Sequence, residues 1–232
     1  MTTFVLVHGA WGGSYAWRSV RAALHAAGHE AVSPSLTGIG ERSHLTGPTV
    51  DLDLHVTDVV NAIRYEDLTD IVLVGWSYGG MVITGALDRL DGRVRSLVYL
   101  DALLPSDRQC AFDLVPFPRP ADEPGAPWSV PPLPRELDTP EATAWSEARR
   151  VNQPVGTLAG CVSLREPLED RGLRLAYIKA TDDPNEAPDS AFWKAAEHAQ
   201  ASSAWEYHGI DTNHMVPLMR PAELTELLIR LA

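Results

Sequence analysis

"VLVGWSYGGM", Val72 to Met81, sets one serine, Ser77, between glycines in the pattern G-x-S-x-G directly after an apolar run. Upstream, "DIVLV" reads as a buried strand; downstream, Met81, Val82, Leu87 and Leu90 fall at helical spacing. A sharp turn between strand and helix exposes the serine at its tip. Side chains two residues to either side would collide with the neighbouring strand or helix, and Gly75 and Gly79 remove them. A serine hydroxyl is a poor nucleophile until a base takes its proton and N–H donors receive the charge that builds on the attacked oxygen. Ser77 is read as a candidate nucleophile, against the plainer reading of a glycine-rich turn.

The same alternation runs outward in both directions. "TFVLVH" is followed by a helix across Trp17 to Ala27, "EAVSP" by a helical stretch from Leu54 to Arg64, and "DIVLVG" by a helix from Tyr78 to Leu90 and the strand "VRSLVYLD". Later come "LRLAYIKA", a helix around Ser190 to Ala199, "SAWEYHGI" and a last helix from Pro221, where proline suits a first turn. Strands that are nearly continuous Val, Leu and Ile are buried on both faces, which predicts a parallel sheet covered by helices, an α/β chain. From Pro105 to Pro140 the pattern fails. Its prolines exclude helix and central strand, yet Phe112, Phe117, Trp128 and Trp145 are too many large apolar side chains for a solvated linker. The segment 105–170 is therefore expected to be a cap inserted into one domain spanning 1–232.

Composition narrows the partners. A net charge of −12 and a pI near 5.0 argue against nucleic acid and anionic membranes, because like charges repel. The two cysteines, Cys110 and Cys161, show no metal-ligand spacing and no disulfide framework, so no metal is expected. The opening "MTTFVLVHGAWGG" has no basic leader and an apolar run too short for a signal or a membrane span, and a cytoplasmic location is the expectation. A homodimer is left open.

Partners for Ser77 follow from chain order. "HGAWGG" after the first strand lets backbone N–H groups point into a site, so those of Ala10 and Tyr78 are candidates for an oxyanion hole. His8 precedes that loop and is read as bracing it. A base is expected beyond the last strand, where "GIDTNHMV" supplies His214; His208 falls within the strand. The acid must orient the imidazole. "KATDDPNEAPD" offers Asp182 and Asp183, and Asp101 stands at the end of "VRSLVYLD". Asp183 is favoured over Asp182, and Asp101 is third. Trp11, Trp128, Trp145 and Met215 are the expected lining of the substrate pocket.

These motifs, "FVLVHGAWGG", "TGIGERSHL", "LHVTDVV", "VLVGWSYGGMV", "VYLDALLP", "YIKATDD" and "NHMVPLMRP", resemble the α/β-hydrolase superfamily, and within it the group of plant methylesterases, hydroxynitrile lyases and small bacterial esterases. The resemblance implies an α/β-hydrolase fold with a sheet of about six mostly parallel strands, helices on both faces and an inserted cap. It also supports Asp183, since the family's esterases carry their acid two residues past a threonine, here Thr181. It implies a cofactor-independent esterase or lactonase acting on a small, largely apolar ester. The alternatives are a tailoring enzyme of secondary metabolism, a lyase and a ligand-binding protein. The resembling lyases place a lysine directly after the histidine and a threonine after the first-strand histidine; this chain has Met215 and Gly9. The proline-rich segment matches no plant cap residue by residue.

Overall fold

The computed structural model describes residues 1–90, 92–116, 119–120 and 125–232. Phe117, expected in the cap, lies outside them. In chain order the strands are β1 (Thr3–Val7), β2 (Glu30–Val32), β3 (Ile71–Trp76), β4 (Val94–Leu100), β5 (Ser129–Val130), β6 (Gln153–Pro154), β7 (Arg174–Ala180) and β8 (Trp205–Ile210). Six of them form one sheet in the order β2-β1-β3-β4-β7-β8, and every neighbouring pair is parallel. The fold is that of an α/β-hydrolase.

Alternation along the strands explains why they read as unbroken apolar runs. Phe4 and Leu6 of β1, with Val72 and Val74 of β3, face Trp17, Val20, Leu24 and Leu224 on one side of the sheet. Val5 and Val7, with Ile71 and Leu73, face Val56, Val59 and Met81 on the other. Each such side chain, fully buried, contributes about 1.5–3 kcal/mol. The helices that deliver these contacts begin where the sequence allows: Asp51 caps the helix Leu52–Tyr65 by accepting from the Leu54 N–H at 2.9 Å, and Pro221 opens the helix Pro221–Arg230. The expected helix from Trp17 is a 3-10 turn, Ser14–Trp17, running into the helix Arg18–Ala26.

Strand order reverses at β1, with β2 on one flank and β3 on the other. The loops leaving the carboxyl ends of β1 and β3 therefore separate and leave a crevice, the usual place for a site in an open parallel sheet. Between β4 and β7 the chain makes the cap: short helices Ala111–Leu114, Pro140–Glu147 and Val155–Ala159, and an antiparallel ribbon of β5 and β6. Gln153 of the ribbon ties the cap down, its Oε1 accepting from the Trp11 N–H at 2.9 Å. No described helix is long and apolar enough to cross a membrane.

Candidate active site

The turn at the end of β3 has the form its glycines predict. Ser77 sits at φ 58°, in the left-handed region, a conformation that costs an L-residue energy and is held only by its surroundings. A Cβ on Gly75 would lie 2.7 Å from the Gly79 carbonyl oxygen, and one on Gly79 would lie 2.7 Å from that of Val7. The Ser77 carbonyl accepts from the N–H groups of Gly80 and Leu103, and its own N–H donates to Leu100. Ser77 Oγ is thereby fixed at the carboxyl edge of the sheet, 2.9 Å from His214 Nε2.

His214 arrives on the loop after β8. Trp76 Nε1 donates to its carbonyl oxygen at 2.9 Å, and the imidazole lies between the rings of Trp76 and Phe192, whose centroids are 5.8 and 4.9 Å away. Its Nδ1 is 2.6 Å from Asp101 Oδ2. An ionised carboxylate can only accept, so Nδ1 carries the hydrogen and Nε2 is left to accept from Ser77.

The carboxylate on the imidazole is therefore Asp101 and not Asp183, contrary to the expectation from the sequence. Asp183 faces the backbone: its Oδ2 accepts from the His214 N–H at 3.3 Å and from Arg135 at 3.2 Å, and its Oδ1 from the Asn185 N–H. It thus joins the histidine loop to the cap, and it lines the cavity over Ser77. Asp182 is exposed. Asp101 follows β4 at φ 40° and is wholly buried. Burial pushes its carboxyl pKa up, but the His214 and Lys179 hydrogen bonds and charges outweigh it and leave the group below its ordinary value. Lys179, in β7, is just as buried. Its Nζ donates to Asp101 Oδ1 at 2.8 Å and to Glu186 at 2.7 Å, and lies 4.5 Å above the Trp193 ring.

The remaining candidates divide. Among the described residues no hydrogen bond engages the N–H of Ala10 or of Tyr78, and both residues border a small hollow beside Ser77. His8 braces the glycine loop: Nδ1 donates to the Gly9 carbonyl at 2.9 Å and Nε2 accepts from the Leu36 N–H at 3.2 Å, while burial holds its pKa below the ordinary histidine value. A cavity of about 320 Å³ opens over Ser77 and His214; Trp11 and Met215 line it.

Trp128 and Trp145, expected in the lining, are not there. Trp128 leads into β5 and is 41% exposed. Trp145 packs edge-on against Tyr15 and under the Arg149 guanidinium, one layer outside the cavity. Sequence reasoning missed Tyr15, Val115, Leu133, Arg150 and Phe192, all of which line it. Trp128→Ala is accordingly expected to leave the ratio of rates for short and bulky esters unchanged, which a substrate series would check.

The alpha/beta hydrolase family matches this chain over residues 4–227. The chain belongs to that family. A carbendazim-hydrolysing esterase of Nocardioides sp. (strain SG-4G) is 51% identical over 116 residues, covering 50% of this chain and 48% of the relative. An α-hydroxynitrile lyase of Arabidopsis thaliana is 33% identical over 105 residues, covering 44% and 40%. The match thus spans less than half the length of either relative. Among solved structures, an extracellular α/β-hydrolase from a Paenibacillus species superimposes with a TM-score of 0.85 at 21% identity, over 100% of this chain and 99% of its own. The cytoplasmic expectation falls with that finding: a protein of this fold, end to end, is extracellular, so few cysteines and the opening stretch do not locate the chain.

Proposed function

We propose that the protein is a serine hydrolase that cleaves a small, largely apolar carboxylic ester through an acyl-enzyme. The observation that carries this reading is the unbroken hydrogen-bonded series Ser77 Oγ, His214 and Asp101 at the floor of a cavity. Ser77 Oγ attacks the carbonyl carbon as His214 Nε2 takes its proton, and the buried Asp101 carboxylate stabilises the imidazolium without taking the proton itself. The N–H groups of Ala10 and Tyr78 receive the oxyanion. The imidazolium then protonates the leaving alcohol, and water, activated by the same nitrogen, releases the acid.

The mostly apolar lining suits an apolar ester. Carbendazim, for which the 51%-identical esterase is named, is a candidate to be tried beside simple activated esters. Lyase chemistry is less well supported. A Cβ on Gly9 would come 2.9 Å from Ser77 Cβ, so the threonine of the resembling lyases would require the serine turn to shift. The cations near the cavity are engaged, Arg135 with Asp183 and Arg150 with Glu147.

A fluorophosphonate tests the reading. The expected result is one phosphonyl adduct per chain, on Ser77, with parallel loss of p-nitrophenyl acetate hydrolysis and no adduct on folded Ser77→Ala. Full hydrolysis with Ser77 unlabelled would overturn it.

A further inference from the structure

The chain's only two cysteines meet at the base of the cap. Cys110 and Cys161 face each other as an isolated antiparallel bridge, and with Asp113 their ligand atoms lie within 4.8 Å of one another. The flanking Val162 N–H donates to the Gln109 carbonyl at 3.0 Å, which makes the cysteines the non-hydrogen-bonded kind of cross-strand pair. In that kind the Cα atoms come to about 4.5 Å and the side chains approach closest, inside the range of about 4.4–6.8 Å that a disulfide spans. Both are free thiols in this structure.

We propose that Cys110 and Cys161 are a redox modification site, forming an intrachain disulfide by exchange with a small-molecule disulfide such as oxidised glutathione. The exposure of the two thiols orders the steps, since Cys161 is open to solvent and Cys110 is buried. The Cys161 thiolate attacks the reagent disulfide and expels one thiolate. Cys110, whose thiol donates to Asp113 Oδ2 at 3.1 Å, loses its proton to solvent and attacks Cys161 Sγ as the thiolate. The second reagent thiolate leaves. Two protein thiols and one reagent disulfide thus become one protein disulfide and two reagent thiols.

The same three residues could be read as a metal site, but their surroundings argue otherwise. Arg119 places Nη2 3.5 Å from Cys110 Sγ, so a divalent cation would sit beside a guanidinium.

The bond would join the two ends of the cap. Residues 111–160 lie between them and include Val115, Leu133 and Arg150 of the cavity wall. Closing a long loop restricts the unfolded chain, so oxidation stabilises the cap and with it the cavity.

The intact protein, incubated with oxidised glutathione and then with an alkylating agent, is the test. Expected are loss of both alkylatable thiols, a monomer with two hydrogens fewer by mass, a peptide linking Cys110 to Cys161, and a melting temperature several degrees above the reduced form. Cys161→Ser should lose that rise and stop without a crosslink. Two thiols that stay alkylatable, a disulfide-linked dimer, or a stoichiometric zinc that blocks oxidation would each overturn the proposal.

Discussion

Asp101→Asn is expected to lower kcat on an activated ester by roughly 10³–10⁴-fold, and Asp183→Asn by far less. Asparagine at 101 can present its amide N–H to Nδ1, which stabilises the tautomer with hydrogen on Nε2 and removes the acceptor that Ser77 Oγ needs. It also removes the negative charge, 2.6 Å from the ring, that offsets the imidazolium. Asp183 touches the backbone N–H of His214 and the Arg135 side chain, so its loss loosens the loop and leaves the tautomer alone. Rates for the two variants on one ester, with circular dichroism to confirm folding, separate the roles. A larger loss from Asp183→Asn would return the acid to the loop after β7.

The difference between these two carboxylates marks where the sequence stops being sufficient. The Ser77 turn was legible because each constraint on it is local: a strand, a positive φ, and glycines where a Cβ would strike neighbouring backbone. His214 was legible from chain order. The carboxylate on the imidazole was not, because Asp101 after β4 and Asp183 after β7 both lie against His214, and which of them reaches Nδ1 is set by tertiary packing. Asp101 turns toward the ring at φ 40°, which nothing in "VRSLVYLD" announces. Trp11 and Met215 line the cavity because they adjoin the glycine loop and His214. Trp128 and Trp145 hang on cap segments whose packing is set by distant partners, Trp145 on Tyr15 and Arg149.

Lys179 is a signal that the sequence itself carries. In "LRLAYIKA" it is the lone cation in a strand otherwise apolar from Leu175 onward, where a parallel sheet buries both faces. A lysine there demands a buried anion. It has two, Asp101 and Glu186, and Glu186 also accepts from Ser190.

Lys179→Met is expected to destabilise the protein by about 3–5 kcal/mol, the usual cost of removing one partner from a buried ionic group. Methionine fills most of the volume but leaves the Asp101 and Glu186 carboxylates buried without their shared cation. Adding Glu186→Gln should recover much of the loss, because a neutral amide tolerates burial better than an orphaned charge. The acid limb gives a second readout. Asp101 is held below its unfolded pKa, so its contribution to stability is complete above about pH 4, the unfolded carboxylate value, and is lost as pH falls through the folded value. Removing Lys179 takes away one of the interactions that depress it, so the acid-unfolding midpoint should move to higher pH. Glu186→Gln added to Lys179→Met should recover much of the melting temperature but return the midpoint only in part, because Asp101 still lacks its cation. If Lys179→Met melts like the parent and unfolds at the same acid pH, the buried lysine does not support the carboxylate, and the hydrogen bonds from His214 and the Ala180 N–H keep Asp101 ionised.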